Sequence, residues 1–246
     1  HPRGCHQAIY LSTIYTLDAD TPAHLVAFCA SPAPGAPPTV YTCRMDGSDV
    51  RRITFAPYGA FDPYLLSDGR LLFSMCSGPS ARVATGSEAV PHLSQSSGPL
   101  TTHLVKGGRE ASLFTVNTDG TDVFPFAGFH EPAVARGMPV ETSDGWVVYV
   151  ESNIESRDRG GSLVAVARTR SLHSRRVIAD EADGFYRDPS PLAEGRLLVS
   201  YRPRNGGSYG VYVLDMRTGQ RIVPLLDEPG FHELSARTVR PRPGPA

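Results

Sequence analysis

The sequence predicts an all-β fold, a β-propeller of four-stranded antiparallel blades, from three observations. Two hairpin-like phrases recur in a fixed order, turn residues are spread along the whole chain, and no segment has a helical period. The 24 Gly and 22 Pro follow no short repeat, which excludes a collagen-like chain. A chain of 246 residues is long enough to bury a large core.

The first phrase is a short extended piece, a tight turn ending in Gly, and an apolar strand. Its copies start with an X-Pro pair, at Asp62, Met138 and Asp188, and continue into the apolar runs 71–73, 147–149 and 197–199. The turn glycine supplies the positive φ that a tight hairpin requires. The nearly continuous apolar runs predict strands that are buried on both faces, as in the middle of a blade.

The second phrase predicts the third and fourth strands of each blade. It occupies 40–47, 113–120, 163–170 and 211–219, and a short outer strand follows each copy. Alternation of apolar and polar residues here indicates a more exposed pair of strands.

Together the phrases predict one propeller domain, 1–246, with blades at about 9–56, 61–127, 138–180 and 188–226. An extra strand is predicted at 233–239, and 77–111 is a loop insertion that is either a lid or a flexible excursion. The alternatives are a segment of a larger propeller and a β-sandwich with similar hairpins.

Composition argues against several classes of partner. The net charge of −1 gives no support for a nucleic acid or an anionic membrane surface, and no apolar run is long enough for a membrane span. The chain begins at His1 rather than Met, which is expected of a processed form or fragment that has lost an export signal.

The four cysteines, Cys5, Cys29, Cys43 and Cys76, allow one or two disulfides, and three pairings remain open. Cys5-His6 matches the second half of a c-type haem attachment motif, but Pro2 stands where the first cysteine is needed. No CxxCH motif is present, so no cofactor is predicted.

Two Phe-His-Glu triplets supply the first candidate ligand-binding residues: His130, Glu131, His232 and Glu233. First strands line the channel of a propeller, and His with Glu are metal-ligand types, which favours a metal or polar-ligand site at the channel mouth. The other interpretation is a structural hydrogen bond between blades, which recurrence at equivalent positions favours.

Two Arg-rich, Gly-tipped loops give further ligand-binding candidates, Arg157, Arg202 and Arg204. They are expected on one face, where they would bind an anionic ligand or an acidic patch of a partner, or simply be solvated.

Asp62 and Asp188 precede Pro and are expected to cap backbone N–H groups. Neither a G-x-S-x-G elbow nor a phosphate-binding Gly-rich loop appears, so no catalytic residue is predicted.

The phrases MDGSDVRRIT (45–54) and FDPYLLSDGRLLFS (61–74) resemble the TolB-type WD40-like propeller repeat, over about 40–240. More narrowly, 57–73 and 188–243, with its Arg-Pro-Arg-Pro close, resemble the propeller middle domain of hydrazine synthase alpha-subunit-like proteins. The resemblance implies a shared scaffold in a periplasmic or secreted bacterial protein. It does not imply hydrazine synthesis, since the haem motif is missing.

The function predicted from these observations is a non-enzymatic binding or scaffold module that holds a protein partner or a small polar ligand at one propeller face. The alternative is a metal- or cofactor-assisted enzyme domain, or a subunit of a larger redox complex, with its site at the channel.

Overall fold

The computed structural model describes residues 6–14, 23–77, 110–128, 134–153 and 158–238. The described residues form sixteen strands and one turn of 3₁₀ helix at Arg168–Arg170. Blade 1 contains β1 (His6–Ile14), β2 (Ala23–Ala30), β3 (Thr39–Arg44) and β4 (Arg51–Arg52). Blade 2 contains β5 (Ala60–Leu65), β6 (Leu71–Cys76), β7 (Ala111–Val116) and β8 (Phe124–Ala127). Blade 3 contains β9 (Ala135–Glu141), β10 (Trp146–Ser152), β11 (Ser162–Ala167) and β12 (Arg176–Ala179). Blade 4 contains β13 (Phe185–Pro191), β14 (Arg196–Arg202), β15 (Gly210–Asp215) and β16 (Arg221–Leu226).

Each blade is an antiparallel meander in which strands pair in sequence order. Blades 2 and 3 also share one parallel contact, between Ala111 of β7 and Ala135 of β9. The four-stranded antiparallel blades confirm the fold class predicted from the repeated phrases.

The blades pack face to face in sequence order, β5 against β1–β3, β9 against β5, and β13 against β9–β11. Apolar side chains of the middle strands fill the space between neighbouring blades, with Phe73, Tyr149 and Leu197 among the most buried. The apolar runs of the first phrase are therefore buried on both faces, as their pattern indicates.

The turns of the first phrase close as the sequence requires. In blade 2, the backbone N–H of Leu66 donates to the carbonyl of Arg70 at 2.9 Å, and Gly69 has φ of 87°. A residue with a side chain is strained at this φ, which accounts for the glycine.

The innermost strands share one irregular feature, a bulge at the X-Pro pair. The pairing with the second strand shifts register at this point in β5, β9 and β13. Asp62, Met138 and Asp188 adopt the left-handed backbone conformation there, with φ of 54°, 54° and 49°, and Ser235 follows with 58°. These four residues are called the bulge positions below.

The bulge positions connect consecutive blades through their backbone N–H groups. Met138 N–H donates to Asp62 Oδ2 at 2.9 Å, Asp188 N–H to Met138 Sδ at 3.3 Å, and Ser235 N–H to Asp188 Oδ2 at 3.2 Å. Asp62 and Asp188 thus accept backbone N–H bonds, the role expected of carboxylates before Pro, and the groups that they satisfy belong to the next segment around the ring.

Residues 231–238 lie where the extra strand at 233–239 is predicted, but they belong to no strand ladder. Side chains of β13 take the place of ladder partners, since Asp188 accepts from Ser235 N–H and Ser190 Oγ accepts from Thr238 N–H at 3.4 Å. Thr238 Oγ1 also donates to the carbonyl of Pro191 at 3.1 Å. The segment is thus held to blade 4 mainly by side chains, with one backbone bond from Glu233 N–H to the carbonyl of Tyr209.

Some sequence predictions fall outside the described residues, among them the bulk of the insertion, 78–109, and Cys5. Cys29 is a buried thiol, and burial raises its pKa above the ordinary value. Among the described residues, no helix is long and apolar enough to cross a membrane.

We expect Asp62→Ala to lower the free energy of unfolding by about 2–4 kcal/mol, because it leaves the partly buried Arg159 guanidinium and the buried Met138 N–H without their acceptor. Urea unfolding followed by circular dichroism measures this change.

Asp49→Ala is the matched control, since Asp49 also has positive φ, at 52°, and pairs with Arg51, but at the exposed surface. This variant is expected to change stability by less than about 0.5–1 kcal/mol. Equal losses in the two variants would contradict a structural role specific to Asp62.

Candidate functional site

A group of polar residues from blades 3 and 4 lies on the face where the second and third strands of each blade are joined. Asp158 stands in the β10–β11 loop, Arg202 and Tyr209 flank the β14–β15 loop, and His232 follows β16. We call these four residues the loop-face cluster. Two loops that are far apart in sequence meet here because blades 3 and 4 are neighbours.

Asp158 is the centre of the cluster. Its Oδ2 accepts from the Tyr209 hydroxyl at 2.9 Å and from Arg202 Nη2 at 2.8 Å. Burial and the adjacent carboxylate raise the pKa of Tyr209 above its ordinary value, so the phenol is protonated and donates at neutral pH.

A glycine makes this arrangement possible. A side chain at Gly160 would place its Cβ 2.2 Å from the Tyr209 hydroxyl. Tyr209 can therefore reach Asp158 only because the residue beneath it has no side chain.

Aromatic rings fix the orientation of the Arg202 guanidinium. Its Cζ lies 5.0 Å from the Phe185 ring centroid and 5.1 Å from that of Tyr209, within the range of cation–π attraction. Its Nε is buried and has no hydrogen-bond acceptor among the described residues. The cluster thus holds a rigid, incompletely satisfied cation.

His232 and Glu233 occupy structural positions around Tyr209. Tyr209 N–H donates to His232 Nδ1 at 3.1 Å, and Glu233 N–H donates to the Tyr209 carbonyl at 2.8 Å. Glu233 Oε1 also accepts from Glu228 N–H at 3.2 Å. These bonds tie the segment after β16 to the β14–β15 loop, so both residues of the second triplet make structural hydrogen bonds.

The remaining predicted site residues are separate from the cluster or undescribed. Arg204 is exposed and donates through Nη1 to the Glu181 carbonyl at 3.2 Å. His130, Glu131 and Arg157 lie outside the described residues. The structure therefore brings together Arg202, His232 and Glu233 from the predicted set.

Sequence reasoning missed Asp158 and Tyr209. Asp158 directly follows Arg157 in one predicted loop, and Tyr209 ends the other. The sequence does predict that both loops lie on one face, but nothing in it indicates that the Asp158 and Tyr209 side chains form a hydrogen bond.

A second polar pair lies between blades 2 and 3, where Arg159 makes a two-bond ion pair with Asp62. The Arg159 guanidinium also stacks 4.7 Å from the Phe61 ring centroid. A Cβ at Gly137 would lie 2.4 Å from Arg159 Nη2, so this glycine leaves the path from one blade to the next open. Burial lowers the pKa of Arg159, but the charge of Asp62, the hydrogen bonds to Asp62 and the charge of Asp188 together raise this pKa above its ordinary value, so Arg159 is a cation at neutral pH.

The opposite face carries a broader depression of about 520 Å³ between the hairpin turns of blades 3 and 4. Its polar lining includes Asp144, Arg176, Glu194, Asp215 and Arg217. Arg176 stacks on Trp146, and Asp215 accepts N–H bonds within its own turn. These groups serve the turns locally, as their position in the repeat indicates.

Among the described residues, no group of three or more His, Cys, Asp or Glu side chains is arranged to hold a metal ion. The chemistry that the loop-face cluster offers is hydrogen bonding and attraction of negative charge.

The raised pKa of Tyr209 predicts a pH dependence. Because the neutral phenol is favoured in the folded state, its contribution to stability is present below the ordinary tyrosine pKa of about 10 and declines as pH rises toward the folded value. Tyr209→Phe should therefore lose stability at pH 7 and show a shallower decline above about pH 10.

Urea unfolding of both proteins from pH 7 to 11 measures this difference directly. Tyr186 and Tyr212, whose pKa values are also raised, titrate in both proteins and so cancel in the comparison. Parallel curves would contradict the Tyr209–Asp158 assignment.

Comparison with known proteins supports the same architecture. No family model matches the chain. Hydrazine synthase subunit alpha of Kuenenia stuttgartiensis is 26% identical over 191 residues, which are 75% of this chain and 20% of that protein. The chain therefore spans about a fifth of the length of the curated relative that it matches.

Solved structures agree in fold. Kuenenia stuttgartiensis hydrazine synthase superposes with a TM-score of 0.68 at 20% identity, over 91% of this chain and 33% of that chain. A TolB structure from Agrobacterium tumefaciens gives 0.53 at 13% identity, over 85% of this chain and 64% of that chain. TolB from Acinetobacter baumannii gives 0.52 at 8% identity, over 87% and 51%. The chain thus has a TolB-like β-propeller fold and resembles hydrazine synthase subunit alpha.

Proposed function

We propose that this chain is a non-catalytic scaffold module of an exported bacterial protein, and that it binds further protein through the apolar face of blade 4. The observation that carries the proposal is a difference in solvent exposure between equivalent residues at the end of the outer strands. These residues are buried in blades 2 and 3 and exposed in blade 4.

The strand register defines the equivalence. Ala127, Ala179 and Leu226 pair with corresponding third-strand residues, Leu113, Leu163 and Val211. Phe126 and Ala127 are 5% and 3% exposed, and Ile178 and Ala179 are 9% and 5% exposed. Leu225 and Leu226, in the same places, are 56% and 47% exposed.

The following blade covers these residues where they are buried. Phe126 and Ala127 pack with Val147 and Val164 of blade 3. Ile178 and Ala179 pack with core residues of blade 4 such as Leu197 and Leu214. The face that blade 4 presents is therefore of the kind that this fold covers with another sheet.

Leu225 and Leu226 are the residues of blade 4 whose counterparts in blades 2 and 3 are covered, and we call these two residues the blade-4 apolar face. Ile222, Val223 and Phe231, in β16 and after it, are also exposed. Burying a leucine side chain contributes about 1.5–3 kcal/mol, and contiguous apolar surface is typical of protein interaction sites. The partner that fits is a sheet with its own apolar face, as at the three observed blade interfaces.

The loop-face cluster also supports a role in binding. Asp158, Tyr209 and His232 engage one another or the backbone, and so stabilise the loops rather than leaving a poised acid, base or nucleophile. Export is proposed on the resemblance in sequence to hydrazine synthase alpha-subunit-like proteins.

Site-specific photo-crosslinking in the native host tests the scaffold function. A benzophenone amino acid at position 225 is expected to give a discrete protein adduct, because the proposed partner sheet covers this position. Denaturing electrophoresis and mass spectrometry identify the adduct and the partner segment.

The matched control places the same probe at position 177, since Val177 is 46% exposed on β12, whose blade already has a neighbour on each side. That position should give no adduct. Equal adducts at both positions, or none at 225, would refute the proposal. Leu225→Asn with Leu226→Asn should abolish copurification of the crosslinked partner while the circular dichroism spectrum is retained.

Metal analysis separates this function from a metal-assisted enzyme. We expect purified protein to contain no stoichiometric metal, and His232→Ala to leave its metal content unchanged, because His232 Nδ1 already accepts from Tyr209 N–H. A bound metal that His232→Ala or His130→Ala removes would favour the enzyme alternative.

A further inference from the structure

Arg187 is the most poorly satisfied buried cation that the structure describes. It lies on the innermost strand β13, directly before the bulge position Asp188, and its side chain is 8% exposed. Burying a guanidinium is costly unless acceptors replace the lost water. The acceptors around Arg187 are therefore informative.

Arg187 makes no hydrogen bond to any residue that the structure describes. Its Nε is fully buried and lies 3.7 Å from Asp188 Oδ2, beyond hydrogen-bond distance. Its Cζ is 5.8 Å from the Tyr209 ring centroid, at the far limit of cation–π attraction. A guanidinium has five N–H donors, and among the described residues none accepts from this one; its Nε–H is also buried.

Three other arginines at or near the blade interfaces have hydrogen-bond acceptors for their guanidinium groups. Arg136, 3% exposed, donates to Glu151 Oε1 at 3.1 Å and to the Gly128 carbonyl at 3.3 Å. Arg159 makes two bonds to Asp62, and Arg202 donates to Asp158. Arg187 differs because its nearest carboxylate, Asp188, lies beyond hydrogen-bond distance and accepts from Ser235 N–H instead.

Asp188 is committed to the segment after β16. Its Oδ2 accepts from Ser235 N–H, and its backbone carbonyl accepts from Arg237 Nη1 at 3.0 Å. Around the bulge positions, three guanidinium groups, Arg159, Arg187 and Arg237, therefore face two carboxylates, Asp62 and Asp188. Among these described groups, the cations outnumber the carboxylates by one.

We infer that Arg187 is the anchor of a binding site for a small oxyanion, a carboxylate or a phosphate, beside Tyr209 and the loop-face cluster. Two parallel N–H donors of a guanidinium match two oxygens of either group. Arg202, whose Cζ lies near the same Tyr209 ring, adds positive charge at the edge of the site. A bound oxyanion would supply the acceptors that Arg187 lacks and balance the surplus charge.

Thermal unfolding and isothermal titration calorimetry with sodium phosphate, and separately with sodium acetate, test the inference. Sodium chloride at equal ionic strength is the reference, because it screens charge without offering paired oxygens. At about ten times the dissociation constant, the binding anion should raise Tm by about 3–6 °C. The anion that gives the larger shift identifies the ligand as carboxylate or phosphate.

Variants locate the effect. Arg187→Gln should abolish the shift, Arg187→Lys should retain part of it, and Arg204→Gln, an exposed arginine of the neighbouring loop, should leave it unchanged. Equal shifts in wild type and Arg187→Gln, or no shift beyond that of chloride, would overturn the inference. The second result would mean that water satisfies Arg187.

A second measurement keeps the test decisive where Arg187→Gln fails to fold. In the wild-type protein, the ¹⁵N-labelled Arg187 Nε–H resonance should shift in a saturable way with the binding anion, and the Arg204 resonance should not. The site is independent of the blade-4 apolar face, so Leu225→Asn with Leu226→Asn should leave anion binding intact. Loss of both together would point to unfolding of blade 4 instead.

Discussion

The structure depends on hydrogen bonds that link β9 to β5, β13 to β9, and the segment after β16 to β13. At Met138, Asp188 and Ser235 the chain adopts a left-handed backbone conformation, and the N–H of each donates to the preceding bulge position. A left-handed backbone conformation is unfavourable for a residue with a side chain, so it persists only where surrounding interactions offset its conformational free energy. Here the acceptors are Asp62, Met138 and Asp188, each placed at a bulge itself. One local distortion therefore both shifts the register of pairing within its own blade and fixes the position of the neighbouring segment.

Arginine stacked on aromatic rings is the second recurring device. Arg159 lies over Phe61, Arg202 over Phe185 and Arg221 over Tyr201, the last with Cζ 3.7 Å from the ring centroid. Stacking lets a planar cation be partly desolvated while its edge keeps donating to a carboxylate. The polar groups of the loop face can thus be rigid without being fully buried, which suits the proposed binding role.

The fold was more predictable than the site, for a physical reason. A turn glycine and an apolar strand are local features, so repeated copies such as 62–74 and 188–200 reveal the blades from sequence alone. Asp158, Arg202 and Tyr209 meet across 44 and 51 residues of chain, and no local pattern records such a meeting. His232 illustrates the limit, since its residue type favours a metal site but its Nδ1 serves a backbone N–H. The unsatisfied state of Arg187 depends on what Asp188 already binds, which sequence cannot show.

Pro224, in the middle of β16, limits which kinds of contact another polypeptide can make with the outer strand of blade 4. Proline has no N–H, so the outermost strand lacks a donor at its centre and is a poor template for the addition of another strand. The apolar side chains beside it remain available to a surface laid against them. The proposed association would therefore depend on shape and apolar complementarity, while edge-to-edge addition of strands, which leads to fibrous assembly, is disfavoured by the strand itself.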